Sequence, residues 1–234
     1  MRGNGPVLTL PPLRPGRKRG SGRITPDLVP LANLSDLCRL SRLVVEGPWM
    51  VGGGQLRRLA PLGRLQRMEL SGCLVALDDL ADLPASLTAL RVRGTRLRAH
   101  DPSKASLGRL TALQELVVCW ADEAATLDLT TARRLTALVL QRGSRAARVR
   151  FGGLPCLRAL ELPEDLPVED GPVILRQLVD LPSLRLLETH GALRGLPGVW
   201  HRLRLLESLS MPREEGPAFL EAGPLPLLCR LLLL

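Results

Sequence analysis

The chain has 234 residues and a formal net charge of +9, and its residues are 45% hydrophobic but only 2% aromatic. This composition predicts an aliphatic core. It excludes a long transmembrane helix, because no apolar run approaches the roughly 20 residues that a membrane span needs. Residues 1–20 also lack the apolar segment of a secretory signal peptide.

The cysteines give a second indication of the compartment. Cys38, Cys73, Cys119, Cys156 and Cys229 are odd in number, lie far apart and form no C-x-x-C pair. This spacing favours neither a disulfide framework nor a zinc site. We therefore expect an intracellular, cytoplasmic protein, with a nuclear, organellar, cytoskeletal or ciliary location left open.

Residues 1–26 are predicted to form a disordered basic leader, and residues 27–234 the folded part. The leader contains six basic residues and no acidic residue. Its prolines and glycines oppose a helix, and its apolar surface is too small to offset the entropy lost on ordering. Binding to an import receptor or to nucleic acid, and a role as an organelle transit peptide, are left open. We expect deletion of the leader to leave the melting temperature unchanged.

From residue 34 onwards, one apolar pattern recurs. Its clearest copy is Leu154–Leu162, where apolar residues follow at spacings of three, three and two. Leu160 and its equivalents are called anchors here, and the residue three before each anchor is always Leu. The intervals between anchors are 22 to 27 residues. The nine anchors are Leu43, Met68, Leu90, Leu116, Leu138, Leu160, Leu187, Leu209 and Leu231.

This repeated L-x-x-L-x-L pattern resembles the leucine-rich repeat superfamily, in particular its short intracellular and plant or algal repeats. The resemblance covers roughly residues 34–234. It implies an α/β solenoid with a parallel concave sheet of about nine short strands, and with short turn, 3₁₀ or helical returns on the convex side. The family usually has Asn or Cys three residues after the second strand Leu. Only Cys73, Thr95 and Asp165 could serve there, so we expect less regular turns.

Each unit is predicted to contain one strand around its anchor, followed by a turn and a return. The anchor and the residue two positions later point into the core, because side chains alternate along a strand. Apolar residues nine positions before their anchors close the far side of the core: Leu59, Leu107, Leu129, Phe151, Leu178 and Trp200. The longer units place their extra residues within 47–55, 98–106 and 163–171. The last unit is incomplete at Leu234 and has no polar cap, so we expect a fragment of a longer product.

No residues are expected to carry catalysis, hold a cofactor or bind a metal. His100, His190 and His201 have no His or carboxylate at a recognisable helical spacing, and the chain has no G-x-S-x-G turn. The glycines at 52–54 lack the Lys and the spacing of a phosphate-binding loop. We therefore expect no enzymatic activity.

The candidate site is the outward face of the predicted sheet. Small apolar residues of units four to six form a patch there, bordered by glutamates, with arginines towards the N-terminal end. This pattern is typical of a protein-binding surface, whereas the alternative is that small residues merely tolerate exposure. The resemblance implies a non-enzymatic scaffold that binds a protein partner on this concave face. The candidate residues are Val44, Glu69, Arg91, Glu115, Val117, Ala137, Val139, Ala159, Glu161, Glu188 and His190.

The second hypothesis is a nucleic-acid-associated protein that uses the leader and the arginines within Arg142–Arg150. Arginine can contact phosphate, but the chain lacks interleaved aromatic residues that would stack bases, and it has no Tyr. Pairing of these arginines with the acidic residues within Glu161–Asp170 is the structural explanation. Salt dependence separates the two hypotheses, because binding to phosphate weakens steeply with salt.

Overall fold

The computed structural model describes residues 6–10, 38–47, 50–51, 56–80, 82–98, 107, 109–120, 127–141, 149–163, 171–190, 203–213, 219 and 225–234. Short strands dominate this part of the chain. They are β1 (Val7–Leu10), β2 (Arg42–Glu46), β3 (Met50–Val51), β4 (Arg67–Ser71), β5 (Leu74–Ala76), β6 (Ala89–Arg98), β7 (Glu115–Trp120), β8 (Leu127–Asp128), β9 (Ala137–Leu140), β10 (Val149–Arg150), β11 (Ala159–Leu162), β12 (Leu186–Thr189), β13 (Ser208–Met211) and β14 (Arg230–Leu233). The helices are α1 (Leu77–Leu80), α2 (Gly171–Val179) and a 3₁₀ helix at Leu56–Leu59.

The strands form a parallel β-solenoid. Within the described residues, ten strands follow one another in the main sheet in the order β1-β2-β4-β6-β7-β9-β11-β12-β13-β14. Every pairing along this path is parallel. The sequence predicts about nine strands, and the additional strand on this path is β1.

The predicted register of the repeats is confirmed by the strand pairing. Leu43 pairs with Met68, Met68 with Leu90, and Leu90 with Leu116. The same alignment continues from anchor to anchor as far as Leu231. The repeated pattern therefore places equivalent residues side by side in the sheet, although the units differ in length.

The core is a continuous column of aliphatic side chains behind the sheet. Leu43, Leu90, Leu138 and Leu209 are fully buried. The described residues nine positions before an anchor are also buried: Leu59, Leu107, Leu129, Phe151 and Leu178. Trp200 lies outside the described residues. In the last unit, Leu231–Leu234 are 38–55% exposed.

The leucines that precede each anchor at intervals of three residues are positioned by turns of the main chain. The N–H of Leu62 donates to the carbonyl of Leu59, and the N–H of Leu65 donates to the carbonyl of Leu62, at 2.9 Å each. Such i to i+3 bonds close successive turns that stack residues three apart on one side. Leu107, Leu110 and Leu113 repeat this arrangement. The leucines therefore all face the core.

Of the returns predicted as turns, 3₁₀ segments or short helices, few are helical in the described part of the chain. Within the described residues, helix consists of the three segments given above and of single helical residues at Arg213 and Phe219, and most of the remaining return consists of turns and short strands. β3 pairs with β5, and β5 pairs with β6, while β8 and β10 form a separate parallel pair. α2 belongs to the longest unit, whose extra residues provide the length for nine helical residues. Of the three predicted insertions, most residues lie outside the described part.

Gln177 of α2 supports the return of the preceding unit. Its Oε1 atom accepts hydrogen bonds from the N–H groups of Phe151 (2.7 Å) and Gly152 (3.2 Å), and its Nε2 atom donates to the carbonyl of Val149 (3.1 Å). One side chain therefore forms hydrogen bonds with three main-chain groups of the preceding return.

The prediction that all of residues 1–26 is disordered is wrong at residues 7–10. These residues form β1, which pairs with β2 from Val7–Arg42 to Leu10–Val45. Leu8 is partly buried against the core. Pairing gives the main-chain groups of β1 hydrogen-bond partners, and burial of Leu8 adds apolar contact, which together offset the entropy of ordering four residues. Residues 1–5 and 11–26 lie outside the described part.

The cysteines of the chain form no disulfide. All five cysteines are free thiols, and Cys73 Sγ is placed 3.7 Å from the carbonyl oxygen of Val45 in the preceding unit. Of the three residues that the sequence offered for this turn position, only the side chain of Cys73 is described, whereas Asp165 and the side chain of Thr95 are outside the described part. No helix among the described residues has the length and apolarity to cross a membrane.

Candidate functional site

The open face of the main sheet, defined as the face carrying the residues directly before and after each anchor, consists of two long rows of side chains. Alternation along each strand places these residues opposite the core. The first row is Val44, Glu69, Arg91, Val117, Val139, Glu161, Glu188, Ser210 and Leu232. The second row is Arg42, Arg67, Ala89, Glu115, Ala137, Ala159, Leu186, Ser208 and Arg230.

The structure brings the predicted site residues together on this face. Ten of the eleven candidates belong to the two rows, and His190 follows the end of β12 directly. The eleven candidates do not include Arg42, Arg67 and Ala89, although these residues occupy the same row as Glu115. Their position directly before an anchor is the sequence signal that places them on the open face.

The apolar centre is smaller than the sequence suggested. Ala137, Val139 and Ala159 are half-buried, whereas Val117 is only 3% exposed. Val117 lies between Arg91 and Val139 in its row, and neighbouring strands are only about 4.8 Å apart, so the long side chain of Arg91 can cover it. Val44 is likewise only 7% exposed. We define the apolar centre as Ala137, Val139 and Ala159.

Arginines and glutamates alternate in the N-terminal part of the open face. The guanidinium of Arg42 lies 3.5 Å from a carboxylate oxygen of Glu69. Arg91 donates from Nε and from a terminal nitrogen to the same oxygen of Glu115, at 2.8 and 2.6 Å. Each pair joins neighbouring strands diagonally, so it ties two units together.

These ion pairs border a shallow depression, which we call the β4 depression. Its cavity volume is about 130 Å³. It has three arginines and two glutamates in its wall, and therefore an excess of positive charge. The lining residues are Arg42, Arg67, Met68, Glu69, Ala89, Arg91 and Glu115.

The C-terminal part of the open face carries the opposite charge. Glu161 and Glu188 are register partners on neighbouring strands, so their carboxylates belong to the same short stretch of one row. His190 Nε2 lies 3.7 Å from an oxygen of Glu161 and 3.6 Å from an oxygen of Glu188. The predicted location of His190 beside Glu188 is therefore confirmed, and Glu161 joins them.

The described residues offer little chemistry beyond charge and apolar contact. They contain no group of three or more His, Cys, Asp or Glu side chains arranged to hold a metal ion. Of the predicted off-sheet arginine cluster, only Arg150 is described, as an exposed residue of β10. Arg142, Arg145, Arg148 and the acidic residues at 164–170 lie outside the described part, as do His100, His201 and the glycines at 52–54.

Comparison with known proteins gives a structural similarity and no match in sequence. No protein-family model matches the chain, and no curated protein matches it. The crystal structure of an internalin from Listeria monocytogenes is similar with a TM-score of 0.40 and 18% sequence identity. The match covers 86% of this chain and 69% of that chain.

Proposed function

We propose that this chain is a scaffold of short leucine-rich repeats, without catalytic activity, that holds a protein partner on the open face of its sheet. The observation that carries the proposal is the pair of side-chain rows, which continue in register from β2 to β14. Each unit adds one strand and two open-face side chains to the rows. Repeat proteins bind partners on extended surfaces of this kind.

The composition of the open face supports protein binding. Its apolar centre consists of Ala137, Val139 and Ala159, which are small and half-buried. Small side chains let a partner approach the sheet closely, and the water they release on binding favours association. The arginines and glutamates on either side form a charged rim, which fixes the orientation of a partner more than it adds affinity.

The thiols support a location inside the cell, in the cytoplasm. All five cysteines are free, and Cys38, Cys156 and Cys229 are exposed. Exposed free thiols persist in compartments where glutathione and thioredoxin keep cysteine reduced. We therefore place the partner in the same reducing compartment.

Val139→Arg tests the proposal. It puts a long charged side chain in the middle of the apolar centre, so it should abolish capture of partner proteins from cell extract. Val117 is unsuitable for this test because it is buried. Val139 is half-buried and faces away from the core, so the melting temperature should change by only about 2 °C.

Cys156→Arg is the matched control, because Cys156 is exposed on a return and away from the open face. It adds the same charge and should leave the captured proteins unchanged. If Val139→Arg retained the proteins that the wild type captures, the binding site would lie elsewhere on the molecule and the proposal would be wrong.

A further inference from the structure

The β4 depression contains one arginine whose charge is not matched. Arg42 pairs with Glu69, and Arg91 pairs with Glu115. Arg67 is exposed, and its side chain has no ion pair or hydrogen bond with the part of the chain that the structure describes. Arg67 therefore supplies the excess positive charge of the depression.

The neighbours of Arg67 leave its guanidinium accessible. In its row it lies between Arg42 and Ala89. Ala89 has only a methyl group, so no long side chain covers Arg67 from that strand. A guanidinium presents two parallel N–H donors that match the two oxygens of a carboxylate.

The size of the depression limits what it can hold. A volume of about 130 Å³ is well above the roughly 10–15 Å³ that a single water molecule needs. This is enough for the end of one acidic side chain. The depression therefore has room for a single carboxylate beside Arg67.

The two ends of the open face carry opposite charge, and only the end with Arg67 attracts an acidic group. Glu161 on β11 is four strands away from Arg67 on β4, a distance of about 19 Å. This exceeds the screening length of about 8 Å at physiological ionic strength, so the two ends act separately. Glu161 and Glu188 repel a carboxylate, whereas Arg67 attracts it.

We infer that the β4 depression binds an aspartate or glutamate side chain of the partner protein, with Arg67 as the donor. This inference rests on the proposed function and adds the chemistry that the partner must present. The partner segment lies across the strands, with its acidic residue at β4 and its apolar residues on the apolar centre. The ion pairs of Arg42 and Arg91 stay intact and form the walls around the bound carboxylate.

Peptide selection on the full chain tests the inference. The probe is a phage-displayed library of random 12-residue peptides, selected on the wild type, on Arg67→Ser and on Arg58→Ser. Arg58 is an exposed arginine of the 3₁₀ helix and away from the open face, so it is the matched control. We expect enrichment of Asp and Glu on the wild type and on Arg58→Ser, and loss of this enrichment on Arg67→Ser.

A double-mutant cycle then locates the contact. The most enriched wild-type peptide is synthesised with its acidic residue and with the corresponding amide. On the wild type, the amide should bind about ten-fold more weakly or worse, because a charge-assisted hydrogen bond is lost. On Arg67→Ser the acid and the amide should bind equally, since the donor is already absent.

Two results would overturn the inference while leaving the proposed function standing. One is selection of peptides without acidic enrichment that still lose binding to Val139→Arg. The other is an equal acid-to-amide ratio on the wild type and on Arg67→Ser. If the selected peptides bound Val139→Arg as well as they bind the wild type, the open face would not be the binding site, and both proposals would fail.

Discussion

Leu138 illustrates how much the stack depends on a single aliphatic side chain. It is fully buried in β9, between the strands of the neighbouring units. Leu138→Asp would bury a carboxylate without a partner, which costs several kcal/mol. We expect the melting temperature, followed by circular dichroism, to fall by about 10 °C or more. Arg134→Asp, at an exposed turn position of the same unit, should change it little. Equal melting of the two variants would contradict the register.

Gln177 is the residue whose importance the sequence does not reveal. Gln177→Ala removes the partners of two N–H groups and one carbonyl group in the preceding return. Unsatisfied buried groups cost about 1–3 kcal/mol each at most, so we expect a loss of about 2–3 kcal/mol in urea unfolding. Arg176→Ala, an exposed neighbour in the same helix, is the control. A Gln177→Ala variant as stable as Arg176→Ala would mean that water replaces the amide.

The contrast between Leu138 and Val117 shows what single residues reveal in the sequence. Periodicity alone predicts burial of Leu138, because an anchor always faces the core. Alternation places Val117 on the open face, and that is also correct. Alternation cannot predict that Val117 is nearly buried there, since the burial of Val117 depends on neighbouring side chains such as Arg91. The spacing of apolar residues therefore predicts whether a side chain points towards the core or the open face. Its exposure depends on side chains that are 22 or more residues away in the sequence.

At the scale of elements, β1 is the clearest departure from the prediction. Leu8 and Leu10 repeat the spacing of an anchor and the residue two positions later, but Gly5 stands where every other unit has Leu. Leu8 also precedes the next anchor, Leu43, by 35 residues, which is outside the range of 22 to 27. The strand is therefore stabilised mainly by main-chain pairing with β2, which a search for leucine periodicity does not detect.

β1 gives a prediction opposite to the one made from the sequence. Leu8→Asp places a charge against the core, whereas Val7→Asp changes a side chain that is 54% exposed on the adjacent position. We expect Leu8→Asp to lower the free energy of unfolding by about 1–3 kcal/mol, and Val7→Asp by less than about 0.5 kcal/mol. Chemical denaturation of both variants measures this difference. Indistinguishable midpoints would show that β1 adds no stability.

The returns were harder to predict than the strands for a physical reason. A strand is constrained on both sides by its neighbours, so its leucines keep a fixed spacing. A return packs on one side only, so the returns of different units can differ in secondary structure. One contains the helix α2, whereas others contain the short strands β3 and β8. Units of different length can therefore alternate without disturbing the main sheet.

At the scale of the whole molecule, salt dependence separates protein binding from the nucleic-acid hypothesis. Binding of a 20-residue single-stranded oligonucleotide should be weak and should fall steeply with salt, because it depends on phosphate contacts. Binding of the selected peptide should fall less, since the apolar centre provides much of its contact. Fluorescence anisotropy at 50 and 200 mM salt measures both. Tight oligonucleotide binding that resists salt would favour the nucleic-acid hypothesis instead.

The overall architecture follows from the sequence more completely than the site does. The paired strands lie 22 or more residues apart in the sequence, a separation at which strand pairing is difficult to predict in most folds. In this chain the repeat pattern recurs, so the pairing of one unit predicts the pairing of the next. The identity of the open-face rows follows from the same period. The β4 depression does not follow from the period, because it depends on which arginines form an ion pair with a glutamate of the next strand and which do not.

The pairing of each strand with only its immediate neighbours has a consequence for the nascent polypeptide. A unit emerging from the ribosome can dock on the one made before it, without waiting for distant segments. Throughout translation, the growing chain then exposes a single unfinished β-edge with its leucines, at the position of the newest strand. Chaperones would need to shield that one moving edge rather than the whole hydrophobic interior.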